Sequence, residues 1–123
     1  MSEITKAAQD VADERKKQDA KWGEQNHPDG TGPGTLPLEF LDDYGVREVF
    51  VLARPLARIA TDRTNSNAEA SHVTWKDILL EEVFEALAEE VPWMLRAELV
   101  QVAAVAQQWV ETIDRREAEA VSA

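Results

Sequence analysis

Apolar residues recur along this 123-residue chain at three- and four-residue steps, and no strand-like alternation persists for more than a few positions. The pattern predicts an all-α fold, most simply a bundle of four or five helices. The first helix is expected from Ser2, as cap, to about Trp22, with Gly23 as terminator. Its apolar positions, Ile4, Ala8, Val11 and Ala12, make only a thin stripe, which suits the edge of a bundle or a contact with a second subunit. Residues 23–37, GEQNHPDGTGPGTLP, hold four glycines and three prolines and are expected to form a loop. Such a length without regular structure suggests a segment that covers something or moves.

Helical spacing resumes from Leu38 to about Arg63 through Phe40, Leu41, Tyr44, Val49, Leu52, Leu56 and Ile59. Gly45 and Pro55 interrupt it, and a kink or break is expected just before Pro55. The polar run TDRTNSNAEAS is expected to end that segment. A third helix starts at a capping-box-like pair, Thr74 and Asp77, and runs to about Glu90. Pro92 suits the first turn of a fourth, in which Leu95, Leu99, Val102, Ala106, Trp109 and Ile113 form a coiled-coil-like seam. Residues 114–123 are expected to fray. One domain spanning residues 1–123 is the simplest count for this length, and the thin first helix and long seam predict oligomerisation.

Charge narrows the functional classes. Thirteen Lys and Arg against 24 Asp and Glu give a formal charge of −11, which disfavours nucleic acid and anionic membranes as partners. The chain has no cysteine, so disulfides and thiolate metal sites are excluded. The N-terminal segment has no apolar run of signal-peptide type and no stretch is long enough for a membrane span, so a soluble, cytoplasmic protein is expected.

The third helix carries an unusual load of glutamate: LLEEVFEALAEE, residues 79–90, has acids at 81, 82, 85, 89 and 90. On a helical wheel Leu79, Val83, Ala86 and Leu87 form the apolar stripe, with Trp75 a turn earlier. Glu82, Glu85 and Glu89 gather on one flank while Glu81 points further out. Glu98 holds a similar flank of the fourth helix, with Gln101 a turn on, and a short connection makes the two helices antiparallel neighbours. Carboxylates facing one another repel and must be neutralised by protons or by a hard cation such as Mg²⁺. Spacing alone leaves two readings open: that cation site, or a solvated acidic face. Arg47, Arg54 and Arg58 share a helix face and, with Lys21, suit triphosphate oxygens or ordinary salt bridges. Trp22 suits stacking on a base, with Gln25 and Asn26 at its edge, or a hydrophobic clamp at a helix end. His27 has no His or Cys partner and reads as structural or exposed, and Trp75, Trp93 and Trp109 read as core or interface.

The stretches ILLEEVFEALAE and LRAELVQVAAVAQQWVETIDRR resemble the MazG-like branch of the all-α nucleoside triphosphate pyrophosphohydrolases, whose pattern is E-E-x-x-E on one helix and E-x-x-D on the next. ERKKQDAKWGEQNHPDG is similar to a segment of MazG-like proteins from actinobacteria and their phages, and together the similar stretches cover most of the chain. The resemblance implies a bacterial protein, or a phage protein in a bacterial host, that cleaves (d)NTPs to (d)NMPs and pyrophosphate as a homodimer or homotetramer. It implies Glu81, Glu82, Glu85 and Glu98 as catalytic, and Glu82, Glu85, Glu98 and Gln101 around Mg²⁺ or Mn²⁺. Glu81 joins this set only through the pattern, and Glu89 and Glu90 are left to solvent. Gln101 stands where the pattern has Asp and offers a neutral oxygen in place of a charged one. Two alternatives follow: a nucleotide-binding or sequestering protein without turnover, and a plain helical interaction module.

Overall fold

Polar residues that favour turns when isolated build a helix here because a neighbouring helix gives their side chains partners. The structure, a computed structural model, describes residues 4–37 and 52–122. Among these, every regular element is a helix: α1 (Lys6–Trp22), α2 (Ala53–Glu69), α3 (Trp75–Ala88) and α4 (Pro92–Ser122). Ser2, and the stretch 38–51 with Phe40, Leu41, Tyr44, Gly45, Arg47 and Val49, lie outside the described residues.

The chain divides into two compact units, one of residues 1–29 with 104–123, the other of residues 30–103. In the first, α1 starts three residues later than Ser2, as cap, would place it. Thr5 is its cap, accepting a hydrogen bond from the Ala8 N–H at 3.1 Å. Gly23 ends it at a φ of 68°, donating to the Asp19 carbonyl as a terminal glycine should. Ala7 is buried while most of the helix is exposed, and the pairs Lys6–Asp10 and Arg15–Asp19 add modest i,i+4 support.

In the second unit α2 and α3 pack together around Ala53, Ala57 and Ala88, with Phe84 and Leu87 against them. Small residues at this seam let two helices approach closely. Pro55 lies in the first turn of α2, where a missing N–H costs nothing, so the expected break falls at the helix start. The expected end near Arg63 is overturned: α2 continues through TDRTNSNAE to Glu69. Thr64 Oγ1 donates to the Asp77 carbonyl, Asn67 Nδ2 donates to Asp77 Oδ2 at 3.0 Å, and Arg63 Nε lies 3.6 Å from Asp77 Oδ1. Side chains engaged across the helix pair no longer compete for their own backbone, which removes the usual reason such a run unwinds.

Asp77 is the hub of this arrangement. Only 4% exposed, it also completes the capping box: the Thr74 N–H donates to Asp77 Oδ2, and the Asp77 N–H donates to Thr74 Oγ1. The Asn67 amide, the Thr74 N–H and hydroxyl, and the Arg63 charge hold its carboxyl below the usual range against the opposing effect of burial. Asp77→Ala is therefore expected to lower the melting temperature by several degrees, read by circular dichroism, and Thr74→Ala to cost about 1 kcal/mol.

The loop 23–37 has no helix or strand, as expected. Its second half is pinned to the second unit. Gly32 N–H donates to the Leu87 carbonyl and Thr31 Oγ1 to the Glu89 carbonyl, while the Ala53 and Arg54 N–H groups donate to the Thr35 and Pro33 carbonyls. The orphan groups at the end of α3 and the start of α2 are thus satisfied by one strap of chain. α3 ends at Ala88, two residues earlier than expected, and the partly exposed Glu89 accepts at its Oε1 from the Glu90 and Val91 N–H groups just before α4.

Pro92 opens α4 as expected, and residues 114–122 continue it as helix in place of a frayed tail. The expected seam is split. Leu95, Glu98, Val102, Val105, Gln107, Trp109, Glu111 and Thr112 are covered wholly or in part, while Leu99, Ala106 and Ile113 are exposed, Leu99 by 51%. The covered stripe is rotated by about one residue, which turns Glu98 inward where Leu99 was expected.

Candidate carboxylate site

α3 presents its acids on consecutive turns beside the face packed on α2. Glu82 and Glu85 are three apart and Glu81 and Glu85 four apart, so all three side chains meet on the helix surface. Each is half-buried, and one carboxylate oxygen from each lies within 4.8 Å of the others. The wheel angle that pointed Glu81 outward is thereby corrected: Glu85, one turn on, is near enough for the side chains to converge.

Glu98 joins from α4. Its charge raises the pKa of both Glu82 and Glu85. For Glu82 the largest cause is burial, followed by repulsion from Glu85, Glu98 and Glu81. For Glu85 burial again leads, with Glu98 next, opposed by a hydrogen bond from Thr61 Oγ1 at 3.4 Å and by the Arg54 charge. Two oxygens, Glu82 Oε2 and Glu98 Oε2, are buried without a hydrogen-bond partner among the described residues. A buried anionic oxygen with no donor is costly, and protons or a cation must bear part of that cost.

The donor set is all oxygen and all carboxylate, which matches the preference of Mg²⁺ and Mn²⁺ and does not suit metals that favour sulfur or imidazole. The residues present therefore fit a hard divalent cation. Gln101, a turn beyond Glu98, is exposed. Glu90 is exposed as expected.

Beside Glu85 opens a groove of about 250 Å³ lined by Arg54, Ala57, Arg58, Thr61 and Asp62. Arg54 and Arg58, one turn apart on α2, bring positive charge next to the carboxylates. Thr61, which had drawn no attention in the sequence, sits between the groove and Glu85. Its signal was position alone: residues 54, 58 and 61 follow helical steps on the same face.

Lys21, Trp22, Gln25 and Asn26 belong to the other unit. There Trp22 is 61% exposed at the end of α1, with Lys21 Nζ 4.8 Å from its ring centroid, a cation–π contact. Gln25 and Asn26 are exposed, and Gln25 Oε1 lies 3.2 Å from Nε2 of His27, also exposed. Trp75 and Trp109 are half-buried, whereas Trp93 is exposed. No helix among the described residues is long and apolar enough to cross a membrane. Comparison of the chain with known protein families, curated proteins and solved structures finds no match in any of the three.

Proposed function

We propose that the chain is a nucleotide pyrophosphohydrolase of the MazG-like kind, converting (d)NTP to (d)NMP and pyrophosphate. The observation that carries this reading is the convergence of Glu81, Glu82 and Glu85, with Glu98 close enough to raise the pKa of two of them and two carboxylate oxygens unpartnered among the described residues, beside a groove bearing two arginines. A solvated acidic face would turn its oxygens to water, whereas Glu82 Oε2 and Glu98 Oε2 are turned away from it. A divalent cation, Mg²⁺ or Mn²⁺, held by Glu82, Glu85 and Glu98 with Glu81 beside them, supplies charge that offsets the carboxylates and polarises phosphate oxygens.

The chain's own residues account for the rest. Arg54 and Arg58 grip the phosphates that leave and restrain them against the acidic cluster. A glutamate of the cluster left free of the cation takes the proton of the attacking water. The water oxygen bonds to the α-phosphorus, the bond to the bridging oxygen breaks, and pyrophosphate departs.

Incubating the protein with Mg²⁺ and each (d)NTP, with pyrophosphate as readout, tests the proposal; release above a Mg²⁺-free control is expected. Arg54→Ala combined with Arg58→Ala is expected to raise KM about tenfold with kcat largely kept, the mark of lost ground-state binding. Gln101 favours a second reading, binding without turnover, because an amide replaces the acid of the pattern. Binding by calorimetry without pyrophosphate release would select it.

A further inference from the structure

Glu85 lies between charges of opposite sign. Arg54 acts on it from within the groove, and Glu98 acts on it from the cluster. Full pairing with Arg54 would cancel a positive charge of the groove and take Glu85 away from the other carboxylates. Among the described residues no ion pair joins the two.

The group that holds Glu85 is the Thr61 hydroxyl, which donates to its Oε1 at 3.4 Å. Thr61 follows Arg54 by seven residues on α2, two turns or about 10 Å along the axis, so the hydrogen bond draws Glu85 away from Arg54. A helical threonine commonly turns its proton back to its own helix, as Thr112 does to the Gln108 carbonyl at 3.0 Å. Thr61 gives its one proton to α3 instead. Ala57, buried between the two positions, has too small a side chain to fill the space, and the groove stays open. The chemistry of the hydroxyl suits this place. A lysine or arginine there would neutralise Glu85, and an apolar residue would leave it to Arg54, whereas a neutral donor orients the carboxylate and keeps its charge.

The geometry points to Thr61 as a positioning residue that keeps Glu85 and Arg54 apart, so that the carboxylate serves a hard divalent cation and the guanidinium serves an anionic ligand. The inference rests on the cation-site part of the proposed function and not on which nucleotide is cleaved.

Calorimetry of the full chain with Mg²⁺ alone tests it. Thr61→Val keeps the branched shape and similar helix propensity while removing the donor. It is expected to weaken Mg²⁺ binding about tenfold, the lower end of what loss of a hydrogen bond to a metal-binding side chain costs. Thr61→Ser, which keeps the hydroxyl, is expected to retain most of the affinity. Arg54→Gln is expected to raise Mg²⁺ affinity more in the Thr61→Val chain than in the unaltered one, because only there does the guanidinium hold Glu85. A threonine that served the fold alone would show no such dependence. Unchanged Mg²⁺ affinity in Thr61→Val, a Thr61→Ser chain as weak as Thr61→Val, or equal effects of Arg54→Gln in both chains overturns the proposal and leaves the pyrophosphohydrolase reading in place. An unaltered chain that binds no Mg²⁺ overturns both. Mg²⁺ binding that depends on Thr61, without pyrophosphate release from any (d)NTP, overturns the hydrolase reading and supports the role of Thr61.

Discussion

Glu82→Gln is expected to lower pyrophosphate release about a hundredfold and, at the same time, to raise the melting temperature of the metal-free protein. The two signs come from one cause. Glu82 is held among Glu85, Glu98 and Glu81 with one oxygen buried and unpartnered, so its charge is a liability to the fold and an asset only to what it binds. An amide of the same shape removes the repulsion and brings its own N–H donors, which Glu98 Oε2 lacks. Removing one well-placed charged group from a site of this kind costs about 10²–10³ in rate. Activity assays with Mg²⁺ and thermal melts without it measure both halves. Unchanged turnover would remove Glu82 from the site, and an unchanged or lower melting temperature would mean its charge is already relieved by solvent.

The same conflict explains how much was legible beforehand. Local signals that depend on one or two residues read correctly: Gly23 ends α1, Thr74 with Asp77 starts α3, and Pro92 opens α4. What failed depended on partners distant in sequence. TDRTNSNAE looks like a turn until Asp77 is placed opposite Asn67 and Thr64, and nothing in the run itself announces that partner. On α4 a hydrophobic pattern assigns Leu99 to the inside and Glu98 to its flank, because apolar residues are assumed to be the buried ones. The structure covers Glu98 and exposes Leu99. A helix that gives up leucine burial to turn a carboxylate inward departs from its local rule, and departures of this kind are expected at functional or strained positions.

Stability against pH should reveal that departure without any substrate. Asp77 and the cluster pull in opposite directions. The folded pKa of Asp77 is depressed, so its contribution is present above the usual carboxylate value of about 4 and is lost as pH falls through the lowered one. Glu82 and Glu85 have raised folded values, so the folded state binds more protons than the unfolded state just above about pH 4.5. Stability there falls as pH rises, until both groups are ionised. The metal-free protein is therefore expected to melt highest in mildly acid solution, with the excess of acids over bases adding to the same slope. A divalent cation must displace those protons to bind, so Mg²⁺ should raise the melting temperature clearly at pH 7.5 and hardly at pH 5. Equal shifts at the two pH values would indicate general screening of surface charge, as would an equal effect of Na⁺ at matched ionic strength. With Glu82→Gln the Mg²⁺ shift at pH 7.5 should largely disappear, because the same oxygens that repel one another in its absence are those that hold the ion.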